Sequence, residues 1–267
     1  MTATPRFFKK NWADFERSYV SATASNTPDL ADQVLARSNK TGWATNGSTD
    51  AENTTLTINM GDFVTFDSIL LIGHNWKNFK LEYLAADGVT WTAFASPIAP
   101  TTCTDTVSFF QPGSTSSDQV RATIYGTQVV DAEKILNQFI ITTQIGYFSY
   151  NPLLSGVTLG RALQEQKVLS GKSNILQNVG KFSTRLRMNA WAASADLTII
   201  ETLFNTPEGF LYWPCGGDVT QFSSVRQGYR LQDIYLCRCK NEYNPDWAQG
   251  QFKAGLNIEM DLVEVIT

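Results

Sequence analysis

The chain has 267 residues, 43% of them hydrophobic and only 17% charged, at a formal net charge of −4, which allows one large β domain or two ordinary ones under a surface rich in Thr, Ser, Asn and Gln. Residues 1–148 carry 10 basic and 14 acidic groups and residues 149–267 carry 11 of each, so neither half has the basic excess of a protein that reads nucleic-acid sequence. No run approaches the ~18 apolar residues of a membrane span, and the opening Met1-Thr2-Ala3-Thr4-Pro5-Arg6 has no signal-peptide core, which predicts folding in a reducing cytoplasm.

Residues 6–20 mix aromatics and charges without a clean period and read as an N-terminal arm that docks on the body or on a neighbour. Residues 21–54 are rich in Ser, Thr, Asn, Asp and Ala and read as loop, with one short helical piece near 30–37. Residues 55–60 alternate, with Leu56, Ile58 and Met60 on one face. Residues 63–73 are mostly apolar and predict a strand buried on both faces. Residues 79–84 alternate again, and Ala86-Asp87-Gly88 is a turn signal followed by a return strand at 89–94. Further strands are expected at 107–111, 119–125 and 138–145. Short strands at this spacing predict a β-sandwich or jelly roll.

Asn151-Pro152 interrupts the pattern. It sets a boundary between a first domain, residues 1–148 with the N-terminal arm, and a second, residues 149–267. In the second, Ser194 is placed to cap a helix near 195–205 whose apolar positions are Leu197, Ile200 and Phe204. Asp196 falls in its first turn, where the helix dipole favours an acid, and Thr206-Pro207-Glu208-Gly209 ends it. Residues 182–190, 210–213 and 229–239 are strand-like. The last strand is the most regular. Phe252, Ala254, Leu256, Ile258, Met260 and Leu262 alternate with Gln251, Lys253, Gly255, Asn257, Glu259 and Asp261, which predicts one face on a core and one on solvent or a partner.

The residue inventory argues against catalysis. His74 is the single histidine, and there is no Gly-x-Ser-x-Gly elbow to pair it with. It reads as a loop histidine bonded to backbone, or as the polar rim of a ligand loop. His74, Asn75 and Trp76 fall in one inter-strand loop and are the candidate sugar-binding residues, by stacking and hydrogen bonding. The other reading of that loop is protein contact. Cys215, Cys237 and Cys239 offer three thiols, an outside chance of a metal site, but C-x-C is not the usual knuckle spacing. Those cysteines and Cys103 read better as ordinary buried thiols. Asp50, Glu52 and Asp62 could supply oxygens to a structural Ca²⁺, but without an EF-hand spacing they read better as a solvated acidic loop. Gly171-Lys172-Ser173 and Gly216-Gly217-Asp218 read as turns rather than phosphate loops. No cofactor is expected.

Several stretches follow an ordered pattern. They are Val20-Ser21-Ala22-Thr23-Ala24-Ser25, Leu30-Ala31-Asp32, Thr41-Gly42-Trp43-Ala44-Thr45, Leu56-Thr57-Ile58-Asn59-Met60-Gly61, and the hairpin from Phe79-Lys80-Leu81-Glu82-Tyr83 to Asp87-Gly88-Val89-Thr90-Trp91. In this order they resemble the discoidin or galactose-binding-like domains. That resemblance implies a β-sandwich with Trp43 and Trp91 in its core, and a family whose members often bind sugars or lipids through loops at one end. The second half, with paired long strands, one helix, Phe210-Leu211-Tyr212-Trp213-Pro214 and the ending Met260-Asp261-Leu262-Val263-Glu264-Val265, is similar to the tail-tube-like domains of tailed-bacteriophage tail-tip proteins.

The combination implies a mainly β, non-enzymatic virion structural protein of a distal-tail or baseplate type, assembled in the host cytoplasm and resident in the virion tail. Its expected partners are copies of itself in a trimeric or hexameric ring, neighbouring phage tail proteins and a host surface glycan. Arg185, Arg187 and the edge of the last strand are the expected contact surface. The alternative is a carbohydrate- or receptor-binding virion protein that uses the sandwich loops.

Overall fold

The computed structural model describes residues 5–14, 16–17, 19–37, 41–148, 153–167, 173–190, 195–216, 232–243, 246–247 and 256–265. The chain is mostly strand and divides into two compact units, Asn11–Gln144 on one side and Met1–Lys10 with Ile145–Thr267 on the other.

A first strand, β1 (Arg6–Phe8), belongs to the second unit. The first unit follows with β2 (Ser21–Ala24), a 3-10 helix at Pro28–Leu35, β3 (Trp43–Ala44), β4 (Thr54–Phe66), β5 (Ser68–Ile72), β6 (Trp76–Leu84), β7 (Trp91–Ile98), β8 (Val107–Phe110), β9 (Thr115–Thr127), β10 (Ile135–Leu136) and β11 (Gln138–Thr142). A five-stranded antiparallel sheet in the order β2-β4-β9-β6-β7 packs with a three-stranded one in the order β11-β5-β8. β3 and β10 form a short pair. This is the sandwich that the family resemblance implied.

Its core follows from the period-2 alternation of a strand with one face covered. Leu56, Ile58, Phe79, Leu81, Val120, Ala122 and Ile124 of the larger sheet meet Ile69, Leu71, Phe139 and Ile141 of the smaller one in a single buried cluster. Each such side chain contributes about 1.5–3 kcal/mol on leaving water. The 3-10 helix starts on Pro28, a residue suited to a first turn, and adds Ala31, Val34 and Leu35 to the same core. Trp43 is fully buried, and its indole N–H donates to the Asn26 carbonyl at 3.1 Å. Trp91 is not a core residue. It lies half-buried at the start of β7, with the Arg121 guanidinium 4.1 Å above its ring.

The second unit continues with β12 (Gln144–Tyr147), β13 (Leu153–Lys167), β14 (Ser173–Ala190), α1 (Ala195–Phe204), β15 (Phe210–Trp213), β16 (Tyr235–Cys239), β17 (Asp246–Trp247) and β18 (Leu256–Glu264). The sheet order is β12-β1-β15-β16-β18-β14-β13, with β17 also on β18. Residues 6–8, expected in the first domain's arm, are therefore a strand of this sheet. Arg6 stands opposite Trp213, Phe7 opposite Tyr212 and Phe8 opposite Leu211. A three-residue strand is too short to show a period, and its partner lies some two hundred residues away, so local pattern could not reveal it. Phe7 is fully buried against Phe148 at 4.8 Å, Tyr212 at 5.4 Å and Phe210 at 5.9 Å between ring centroids.

β18 shows the expected alternation over its described side chains, with Ile258, Met260 and Leu262 buried and Glu259 outward. Arg185 and Arg187, both exposed, are ion-paired within the chain. Arg185 donates to Asp261 at 2.5 and 3.1 Å, and the Nε of Arg187 stands 2.7 Å from Glu259 across the β14–β18 pairing. In α1, Ile200 and Leu203 are buried, whereas Leu197 and Phe204 are only half-buried. Ser194, the expected cap, lies outside the described residues. Gly209 closes the turn after α1 with φ 88°, and a Cβ there would stand 2.9 Å from the Cys237 carbonyl, so the position needs glycine on both counts.

Truncating Phe7 to Ala should remove about 3–5 kcal/mol from the second unit. The check is hydrogen exchange. Amides of β15 should exchange faster while those of β5 and β11 in the sandwich keep their protection. Unchanged β15 protection would show that β1 does not hold the sheet.

Candidate functional site

The residues singled out at 74–76 are interior. Trp76 is fully buried and His74 nearly so. The His74 ring packs against Trp76 and Phe79, with centroids 5.6 and 5.8 Å away. Its Nδ1 accepts from the Trp76 amide at 3.2 Å, which leaves the proton on Nε2, 2.8 Å from Ser108 Oγ. Burial pushes His74 down to about 4, so it is neutral at ordinary pH. The Asn75 amide is taken up at both ends, donating to the Glu133 carbonyl at 2.7 Å and accepting from the Ile135 N–H at 3.0 Å. None of the three offers a free face to a sugar. They pin the end of β6 to the core and to the 133–135 segment.

Cys215 and Cys237 are likewise buried, and Cys103 and Cys239 are half-buried. Burial pushes Cys215 and Cys239 up to about 12 and Cys237 well above its ordinary range. Such thiols stay protonated at ordinary pH. Among the described residues no three metal-ligating side chains converge.

Asp50, Glu52 and Asp62 are not together. Asp50 accepts from the amide and hydroxyl of Thr127, both at 3.0 Å, while Asp62 lies in β4 between the two stretches that pair with β9. The cation of the 49–52 loop is a lysine. Lys134 is fully buried, and its ammonium donates to the carbonyls of Thr49 at 2.9 Å and Glu52 at 2.8 Å. Burial pushes Lys134 down, and Asp50, Glu52 and Asp131 oppose that shift.

On the five-stranded sheet, Glu82 bridges Lys80 at 3.0 Å and Arg121 at 2.8 Å. Burial pushes the Glu82 carboxyl up, and the hydrogen bonds from Arg121 and Lys80 outweigh it, leaving it below its usual range. Arg121 is stacked on Trp91 and bonds Glu82 through its Nη2 group, while its Nε is buried without a hydrogen-bond partner among the described residues.

One surface with open aromatic side chains lies where β4 leaves its register with β9. Asn59 stands opposite Gln119, yet Val64 stands opposite Ser117, so residues 60–63 face the single residue Asp118. The excursion turns on Gly61, whose φ is 79° and whose N–H donates to Asn59 Oδ1 at 2.8 Å. A Cβ at 61 would run into the Tyr19 ring, so glycine lets Tyr19 seat directly on the backbone. Tyr19 is 49% exposed and Phe63 is 54% exposed. Arg17 lies beside them, 4.3 Å over the Trp12 ring and 3.4 Å from the Tyr19 hydroxyl. Two open aromatic rings, a stacked guanidinium and the exposed Asp62 thus lie on or beside the 60–63 excursion. Sequence pattern put Tyr19 in an arm and Phe63 in a buried strand. The available signal was Gly61-Asp62, which breaks the alternation after Met60.

No family model and no curated protein matches the chain. Solved structures similar to it include a chitosan-binding module from a chitosanase/glucanase of Paenibacillus sp. IK-5, at 17% identity and TM-score 0.43, covering 50% of this chain and 98% of that one. Another is CpGH89CBM32-6 of Clostridium perfringens, at 13% identity and TM-score 0.40, covering 49% and 98%. A third is a GH29 fucosidase of Ruminococcus gnavus in complex with fucose, at 20% identity and TM-score 0.40. It covers 51% of this chain but only 27% of the enzyme.

The buried His74 makes stability depend on pH. Above its ordinary value of 6.5 it is neutral whether folded or not. As pH falls from 6.5 toward 4 the unfolded chain takes up a proton that the folded chain refuses. That difference removes roughly 3 kcal/mol by the lower end. Urea titrations between about pH 7 and about pH 4 should show wild type losing more stability than His74→Gln by about that amount. Parallel losses in the two proteins would mean that the imidazole is not desolvated.

Proposed function

We propose that the chain is a non-enzymatic binding protein whose sandwich takes up carbohydrate at Arg17, Tyr19 and Phe63. The observation that carries this reading is the pair of half-exposed rings around Gly61. Aromatic faces suit the C–H face of a pyranose, while Arg17, Asn59 and Asp62 supply donors and acceptors for its hydroxyls. The buried His74–Trp76 segment has no part in it. Lack of catalysis fits the engaged state of the titratable groups, since His74 is held neutral and Glu82 is neutralised by Lys80 and Arg121.

A glycan array on the full chain tests the reading. Tyr19→Ala and Phe63→Ala should each weaken a captured glycan about tenfold, which is about 1.4 kcal/mol, while His74→Gln leaves binding unchanged at neutral pH. An array without any hit, or hits indifferent to both ring truncations, would reject it.

A second reading is favoured by the extended β13–β14 pair in the second unit. A long two-stranded ribbon on a β-rich unit suits a subunit that assembles with others. Here the unit is tail-tube-like, the chain forms a trimeric or hexameric ring in a bacteriophage tail tip beside other tail proteins, and the sandwich is presented to the host surface. The two readings are compatible. Antibody against the chain should label one end of the tail on intact virions, and absence of the chain from purified virions would rule the second reading out.

A further inference from the structure

Asp14, Glu16 and Arg17 lie in one turn, closed by the Arg17 N–H on the Asp14 carbonyl at 3.0 Å. Proximity in sequence would pair Arg17 with these two acids, but both are engaged elsewhere. Arg37 donates to the Asp14 carboxylate through Nε at 3.0 Å and Nη2 at 2.6 Å, and the same Nη2 reaches Glu16 at 2.8 Å. Asp14 is almost fully buried in that pair. Of the three described arginines in the sandwich unit, Arg37 is held by Asp14 and Glu16, and Arg121 by Glu82. Arg17 has no ion pair among the described residues, so its charge is left for something outside the chain.

The guanidinium is held in place before any ligand arrives. It lies 4.3 Å over the ring of Trp12, which is half-buried and packed against the sandwich core. The Val20 N–H donates to the Arg17 carbonyl at 2.9 Å, and the Tyr19 ring rests on Gly61. The N–H donors of a guanidinium lie in its plane and match a carboxylate two at a time. Arg17 Nη1 donates to the Tyr19 hydroxyl at 3.4 Å, which leaves the hydroxyl hydrogen free to donate in turn. Arg17 and Tyr19 together therefore present donors only. A sugar hydroxyl both donates and accepts, whereas a carboxylate only accepts and carries the charge that complements Arg17. Asp62, exposed beside Gly61, has the opposite character. It accepts from hydroxyls and repels a carboxylate, so the two sides of the site orient an acidic sugar one way round.

We propose that the sugar taken at this surface is an acidic one, a hexuronic acid whose carboxylate is held by Arg17 and the Tyr19 hydroxyl. The inference rests on the carbohydrate reading above and names its ligand class. Arg37 acts as a positioning residue, because it keeps Asp14 and Glu16 away from Arg17. The charge-assisted bonds to the carboxylate add to the stacking on the open rings and are weakened by salt.

Calorimetric titration of the full chain at neutral pH tests the assignment, with a uronic acid oligosaccharide and its carboxyl-reduced, neutral counterpart as the two ligands. Wild type should prefer the acidic oligomer roughly tenfold at low salt, and the preference should shrink as salt is raised. Arg17→Gln should bring the two ligands close to parity. Tyr19→Phe keeps the ring, loses the hydroxyl and should lower the preference by less. A variant that merely misfolds weakens both ligands together and leaves their ratio where it was. Equal affinity of the wild type for the two oligomers, or a preference that survives Arg17→Gln, would overturn the acidic assignment. The carbohydrate reading would still stand if Tyr19→Ala and Phe63→Ala weaken the neutral oligomer. A sulfated neutral oligosaccharide bound more tightly than the uronate would overturn the choice of carboxylate. A chain that takes neither oligomer would overturn the assignment as well, and the glycan array then decides the wider reading separately.

Discussion

Leu56 and Ile58 of β4 stand opposite Ala122 and Val120 of β9, and all four point into the sandwich. The side-chain period of a strand is two, so a slip of one residue between these two strands would send every apolar side chain to the wrong face. The other elements of the first unit are arranged around that pairing. β2 extends it on one side, β6 and β7 on the other, and the smaller sheet closes over its inner face. The same constraint accounts for the surface. Beyond Asn59 the register is relaxed by the excursion at residues 60–63, where three successive residues, Gly61, Asp62 and Phe63, are exposed before the alternation resumes at Val64.

The second unit depends on a longer-range pairing. Its sheet includes three residues from the start of the chain, inserted between β12 and β15. Phe7 then joins Phe148, Phe210 and Tyr212 in one aromatic group. Further along, Phe182 stacks on Tyr235 with centroids 3.9 Å apart. The rings come from distant positions in the chain, so none of this packing exists until the sheet has formed. Closing such large loops costs entropy, and only the burial of several large rings together offsets it.

Buried polar groups explain why His74 and Trp76 are interior rather than on an open loop. A histidine, an asparagine and a tryptophan in succession have the chemistry of a lectin loop. They also have the chemistry of a strand end whose histidine and asparagine are bonded internally. Ser108, Glu133 and Ile135 supply the partners of His74 and Asn75 here, and Trp76 fills the core. Lys134 follows the same logic. A fully buried ammonium persists because two carbonyls accept from it and three nearby carboxylates favour its charge.

Local pattern alone determined the mainly β character, most strands of the sandwich, the Asp87-Gly88 turn, the helix around residue 200 and the alternation of β18. All of these rest on neighbours in sequence, on a period of two or 3.6 and on turn residues with their own backbone preferences. Only the tertiary structure decided that residues 6–8 belong with residues 210–213, that Trp91 lies under Arg121 rather than in the core, and that Arg185 and Arg187 pair with Asp261 and Glu259 inside the chain. It also decided which aromatic residues are buried and which are open. Trp76 and Phe63 are both large apolar side chains beside strand signals, and only the Gly61-Asp62 break after Met60 sets Phe63 apart in the sequence. Burial is set by what packs on top, and for Trp76 that is the core of two sheets, while Phe63 stands on an excursion that no strand covers.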